Sequence, residues 1–279
     1  ASLRVLGSLD VNGTALEPVV FTSIRDDSVG GDTNRDGTAT APAVSNWSGI
    51  RVGRSAVDAP PVVSLDHAKI RYASTGVSRS EGTWSPLTLD WVPGPLSITN
   101  TEFAHVSRSV VVKSRSSVTV ADSVLVGRVD VDVRSSAATL TGNSVSGGGL
   151  FVTSYEAVSG AVVVAPTVQN NAVSNTTELA VGVSSTRIDP DLLTGNTASN
   201  ASVAVGLNGT LIDDLVVPSQ LGLPLVLTGE LTVPAGVAMT VEAGAVIKGA
   251  GYDGWSGYGS MASLRVLGSL DVNGTALEP

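Results

Sequence analysis

The 279-residue chain sets 16 Lys and Arg against 25 Asp and Glu, a formal charge of −9, and leaves no basic stripe to displace phosphate counterions, which argues against nucleic acid and anionic membrane as partners. Hydrophobic residues reach 42% with aromatics at 4% and no Cys. Thiol nucleophiles, disulfide staples and Cys-ligated zinc are excluded, and the core must be built from small and β-branched side chains. No apolar run of about 18 residues and no charged-then-apolar leader occurs, so neither membrane insertion nor a signal peptide is expected within this stretch.

The elements predicted in chain order are short strands parted by Gly, Asn, Ser and Asp turns. The first are LRV and LDV inside ASLRVLGSLDVNGTALEP, Ala1 to Pro18, and then VVFTS. An acidic loop follows. Asp32, Asn34, Asp36 and Gly37 spell D-x-N-x-D-G, the first half of a calcium loop with oxygen ligands at positions 1, 3 and 5 and the Thr38 carbonyl at position 7. Position 12 is Ala43, so Asp26 and Asp27 are the candidates to complete a structural Ca2+ shell. The alternative is a solvated acidic turn.

Next come SLDHAKIRYA, LTLDWV, LSIT, SVVVKS and SVTVADSVLV, and then VDVDV, where alternation sends Val129, Val131 and Val133 inward and Asp130 and Asp132 to water. After these follow LFVTS, AVVVA, LAVGV, SVAVGL, LVLTG, LTV and MTV. A degenerate motif recurs as ITNTEF, VADSVL, LTGNSV, VQNNAV and LTGNTA, starting at Ile98, Val120, Leu140, Val168 and Leu193. Its steps of 22, 20, 28 and 25 residues match one coil of a parallel β-helix, with Asn at turns bonding its neighbours along the stack. An antiparallel sandwich, with hairpin turns every 8–12 residues, is the structural alternative.

Outward pairs that could act on polysaccharide are Lys69 with Arg71 and Lys113 with Arg115 for a lyase, or Asp130 with Asp132 and Asp189 with Asp191 for a hydrolase. The bland reading of all of these is ordinary solubilising charge. His67 and His105 have no neighbouring nucleophile signature and read as turn or strand-edge residues. The sequons at Asn46, Asn175, Asn200 and Asn208 are expected by chance in a chain this rich in Ser and Thr. Tyr252, Trp255 and Tyr258 form an aromatic loop suited either to a sugar face or to packing at a junction.

The last residues, Ala262 to Pro279, repeat Ala1 to Pro18 letter for letter. Residues 1–261 read as one unit of a tandem array and 262–279 as the first coil of the next, with engineered overlap as the other origin. Leu3, Val5, Leu9 and Val11, with Leu264, Val266, Leu270 and Val272, are then the expected assembly interface between copies joined head to tail.

Read across the repeat junction, the chain runs LTVPAGVAMTVEAGAVIK, GSLDVNGT, PVVFTS, the acidic loop and NWSGIRV. This resembles the recurrent segment of bacterial secreted proteins with a right-handed, pectate-lyase-like parallel β-helix, over about the first 75 and last 50 residues. The resemblance implies an extracellular or cell-surface location and, as in many such members, no catalysis. The expectation is therefore all-β: a right-handed parallel β-helix (solenoid) of about ten coils, with little or no helix. It would serve as a non-enzymatic structural repeat that stacks into a rod or fibre. The alternative is a carbohydrate-binding or polysaccharide-cleaving β-helix that meets surface carbohydrate.

Overall fold

Runs of alternating Val, Leu or Ile with Ser, Thr or Asp have a period of two and bury one face. Here they pair almost entirely in parallel. The computed structural model describes residues 1–52, 62–74, 76–77, 84–85, 87–92, 94–218, 224–250 and 261–275. Its strands form an 11-stranded, a 6-stranded and a 7-stranded sheet, with a further 3-stranded sheet toward the C-terminus. Among the described residues the one antiparallel pair is Gly76–Val77 with Trp84–Ser85. Hairpins therefore do not build this fold, and the sandwich alternative falls.

From Leu3 to Ser174 the chain visits the three large sheets in rotation. Leu3–Val5 lies in the first, Leu9–Asn12 in the second and Val19–Phe21 in the third. Ile50–Val52, Val63–Asp66 and Ala68–Arg71 repeat the circuit, each pairing in parallel with its predecessor. Register is kept residue for residue through the second and third sheets, while the first is shifted at Arg108/Val110, Val112/Ser114, Leu179/Val181, Ser185/Ile188 and Leu207/Gly209, and inward side chains still form columns. Leu65, Ile98, Val120, Leu140 and Val168 stack along the second sheet, and Val131, Val152, Val183 and Leu207 along the first.

These columns meet in a single hydrophobic cluster. Burying each such side chain is worth ~1.5–3 kcal/mol, so many small residues suffice where aromatics are scarce. Strand Arg128–Arg134 shows the alternation directly: Val129, Val131 and Val133 are buried while Asp130 and Asp132 are half-exposed. Those two carboxylates do more than face water. Asp130 is ion-paired with Arg108 at 3.4 Å and Arg128 at 2.7 Å.

The recurring motif marks a corner. Its third residue adopts positive φ in every copy: Asn100 (50°), Asp122 (50°), Gly142 (68°), Asn170 (58°) and Gly195 (74°), and His67 (50°) begins the same column. Asn, Asp and Gly tolerate this left-handed conformation best. A second column runs after the third-sheet strands through Tyr72, His105, Gly127, Gly147, Asn175 and Asn200, also at positive φ. Both histidines are thus turn residues, as expected, and His105 stacks on Tyr72 with ring centroids 4.8 Å apart.

The motif's fourth residue turns inward and carries hydrogen bonds from one circuit of the sheets to the next. Asn143 Nδ2 donates to Asn171 Oδ1 and Asn171 Nδ2 to Asn196 Oδ1, both at 2.9 Å, while Ser123 N donates to Asn143 Oδ1 at 3.1 Å. Buried backbone that lacks a sheet partner at the corner is satisfied in this way.

Among the described residues one element departs from strands. Pro190–Leu193 is a 3-10 turn, capped by Asp189, whose carboxylate accepts from Asp191 N. It is tied to the second sheet's last strand, Thr167–Gln169, where Gln169 Nε2 donates to Asp191 O at 2.9 Å. Past this point the 3-stranded sheet of Leu215–Val217, Ala238–Glu242 and Ser269–Asn273 takes over.

Candidate functional site

Two places hold the residues singled out by sequence. The first is the acidic loop between strands Val19–Phe21 and Ile50–Val52. Its turn is folded by Asp32, whose carboxylate accepts from Asp36 N at 3.1 Å and Gly37 N at 2.9 Å. Gly37 takes φ 66°, which a side chain would oppose. Asn34 Nδ2 donates to Asp36 Oδ2 at 2.8 Å, and Thr40 closes the loop with a short hydroxyl bond to the same oxygen. Thr38 sits in the exposed turn after Gly37.

Oxygens of Asp27, Asp32 and Asp36 come within 4.8 Å of one another. Asp27 Oδ1, Asn34 Oδ1 and Asp36 Oδ1 are closed off from water and accept no hydrogen bond. Buried oxygens left without donors are costly. Ca2+, with ligands at roughly 2.3–2.6 Å, would fit a cluster of this span and would supply the missing positive charge. Asp27, Asp32, Asn34 and Asp36 are the residues that would hold it.

Partial burial, with the negative charges of Asp32, Asp36 and Asp26, pushes the Asp27 carboxyl above the ordinary carboxylate range. Asp26 lies outside the trio. It is buried, with Oδ2 accepting from Thr22 and Oδ1 from Ser28, each at 2.5 Å. Burial opposes its charge, but those bonds prevail and hold its carboxyl below the usual range. Its part is to anchor the loop's entry. The hydroxyls of Thr22, Ser28 and Thr40 carried no sequence signal of this role, because Ser and Thr are abundant everywhere in the chain.

The second place is the duplicated segment. In its first copy, Leu3 and Val5 register with Ile50 and Val52, and Leu9 and Val11 with Val63 and Leu65. In its second copy, Leu264 and Val266 register with Leu231 and Val233, and Leu270 and Val272 with Met239 and Val241. All of this pairing is parallel. The first copy is thus bonded along its downstream edge and the second along its upstream edge. Val5 and Val11 are 8% and 6% exposed, whereas Val266 and Val272 are 37% and 63% exposed.

The remaining candidates are dispersed. Lys69 and Arg71 share one face of strand Ala68–Arg71 and both approach Glu102, at 3.1 and 3.9 Å. Lys113 lies in strand Arg108–Ser114 and Arg115 just past its end. Burial pushes the Asp132 carboxyl up, against the pull of Arg134 and Lys113. Asp189 and Asp191 are engaged in the 3-10 cap. Asn46 bonds Ser23 and Ala43 N through its side-chain oxygen, and Asn208 donates to Ser184 at 3.0 Å. Tyr252, Trp255 and Tyr258 lie outside the described residues. No helix of the described residues is long and apolar enough to cross a membrane. No protein family, curated protein or solved structure matches this chain.

Proposed function

We propose that this chain is a structural, non-enzymatic module of an extracellular or cell-surface rod, a right-handed parallel β-helix of about ten coils that continues end to end with copies of itself. The observation that carries the reading is the pairing of one sequence on opposite edges: its first copy under Ile50–Asp66, its second over Leu225–Glu242. The rotation of the chain through three parallel sheets supports a solenoid, in which each coil contacts only its neighbours. At ~4.8 Å per coil a unit is roughly 50 Å long. The function is then mechanical. Backbone bonds run along the axis, a dry Val, Leu and Ile interior resists shear, and Ca2+ in the acidic loop pins a long excursion to the shaft.

The resemblance to secreted β-helix segments points the same way. Of the outward charges on which a sugar-cleaving reading would draw, Lys69 and Arg71 approach Glu102, and Asp130 pairs with Arg108 and Arg128. Negative-stain imaging of the concentrated chain tests the proposal. Rods joined axially, with a repeat near 50 Å, are expected; discrete particles at every concentration would reject it.

A further inference from the structure

The way copies join is written in two glycines of the duplicated segment. A Cβ on Gly268 would lie 2.2 Å from Val237 O and 2.3 Å from Pro234 O, both backbone atoms of the upstream turn. Gly7, the same residue in the first copy, has nothing within 4 Å of a Cβ. Among the described residues nothing therefore places a steric demand for glycine there. Conversely, a Cβ on Gly13 would meet His67 O of the downstream coil at 2.3 Å. The segment thus carries one glycine cut for an upstream neighbour, met at Gly268 and not at Gly7, and one cut for a downstream neighbour, met at Gly13.

We propose that two copies of this chain join by sharing a single duplicated segment, with Leu3–Asn12 of one molecule occupying the edge of Leu225–Glu242 of the other in place of that molecule's own Ser263–Asn273. This deepens the end-to-end reading and rests on it. The occupant is fixed by identity, because the residues that already sit on that edge are the same as those offered.

Superposing the two copies gives one uninterrupted register. Leu231, Leu3 and Ile50 align, as do Val233, Val5 and Val52, then Met239, Leu9 and Val63, and Val241, Val11 and Leu65. Electrostatics agree. Arg4 registers with Arg51, like charges side by side, and the upstream strand brings Glu230, which stands 3.9 Å from Arg265 in the second copy. In this arrangement Ser263–Asn273 acts as an internal stopper on the joining edge, since it fills the place a second molecule would take.

The test uses three variants of the 279-residue chain in sedimentation velocity. Gly268→Ala forces Ser263–Asn273 off its edge and opens it, so a shift to dimers and longer species is expected at concentrations where the unsubstituted chain sediments more slowly. Gly7→Ala alone should sediment like the unsubstituted chain. Gly7→Ala combined with Gly268→Ala should lose the shift, because the incoming segment now meets Val237 O and Pro234 O.

A folded Gly268→Ala chain that does not shift overturns the proposal, as does equal association of the double variant. In the latter case the end-to-end reading survives through another surface, whereas no association by any form sinks both. If circular dichroism shows Gly268→Ala unfolded, the unsubstituted chain is incubated with a labelled peptide of residues 1–18. Retention of that peptide and loss of its Gly7→Ala form are expected; equal retention of both, or of neither, overturns the shared segment.

Discussion

At the residue scale, a few polar side chains decide how the corners hold. Asn171 is buried, its Oδ1 accepts from Asn143 N and Nδ2, and its Nδ2 donates to Leu140 O and Asn196 Oδ1. Asn171→Ala strands these partners and should cost about 1–3 kcal/mol in urea unfolding, whereas Asn170→Gly, at a left-handed position, should cost far less. Asp66 is held at about 2, below its ordinary 3.8, by hydrogen bonds from Asn100, His67 and Thr99. Because its folded value is depressed, its contribution is present above pH 3.8 and fades as pH falls toward about 2. Asp66→Asn should therefore flatten the acid limb of thermal stability between those values, and a limb unchanged by the substitution would refute the assignment. In the acidic loop, a Ca2+ held as proposed would have to displace protons from Asp27, whose carboxyl is raised. Calcium binding by titration calorimetry should strengthen as pH rises through the carboxylate range and weaken at least tenfold in Asp27→Asn and Asp36→Asn. The D-x-N-x-D-G spacing made this loop legible in advance. The anchoring of Asp26 was not legible, because it depends on two hydroxyls brought close only by the turn.

At the scale of elements, the period-two alternation and the recurring motif were enough to anticipate parallel, stacked strands with little helix. The corner column was half visible: Asn100, Asp122, Gly142, Asn170 and Gly195 belong to the motif, but His67 heads the same column from a segment that reads only as strand. A left-handed His is fixed by its neighbours in the stack, not by its own preference. The 3-10 turn Pro190–Leu193 was missed although its signal was present, an Asp cap followed by Pro at the first helical position. Interior side chains should behave as separate local supports. Phe103 is fully buried between the third-sheet neighbours of its strand, and Phe103→Ala should cost about 3–5 kcal/mol. Hydrogen exchange should place that loss in the strands paired with it while leaving distant ones protected, as the proposed solenoid would require.

At the scale of the whole molecule, the duplication was the plainest feature of the sequence, yet its meaning depended on which edge each copy uses. Composition could not supply that, because identical residues have identical propensities; only the pairing partners differ. Ile50–Asp66 and Leu225–Glu242 claim opposite sides of one segment, and a single segment placed between them would be bonded on both. The most direct measurement is electron microscopy of a fusion in which residues 1–261 run straight into a second chain of residues 1–279, so that one segment serves as the joint. A straight rod close to twice the length of the single chain is predicted, with amides of the internal Leu3–Asn12 equivalent protected from exchange at the level of interior strands. Two lobes hinged at the joint, or an internal segment that exchanges as freely as the terminal one, would contradict the account.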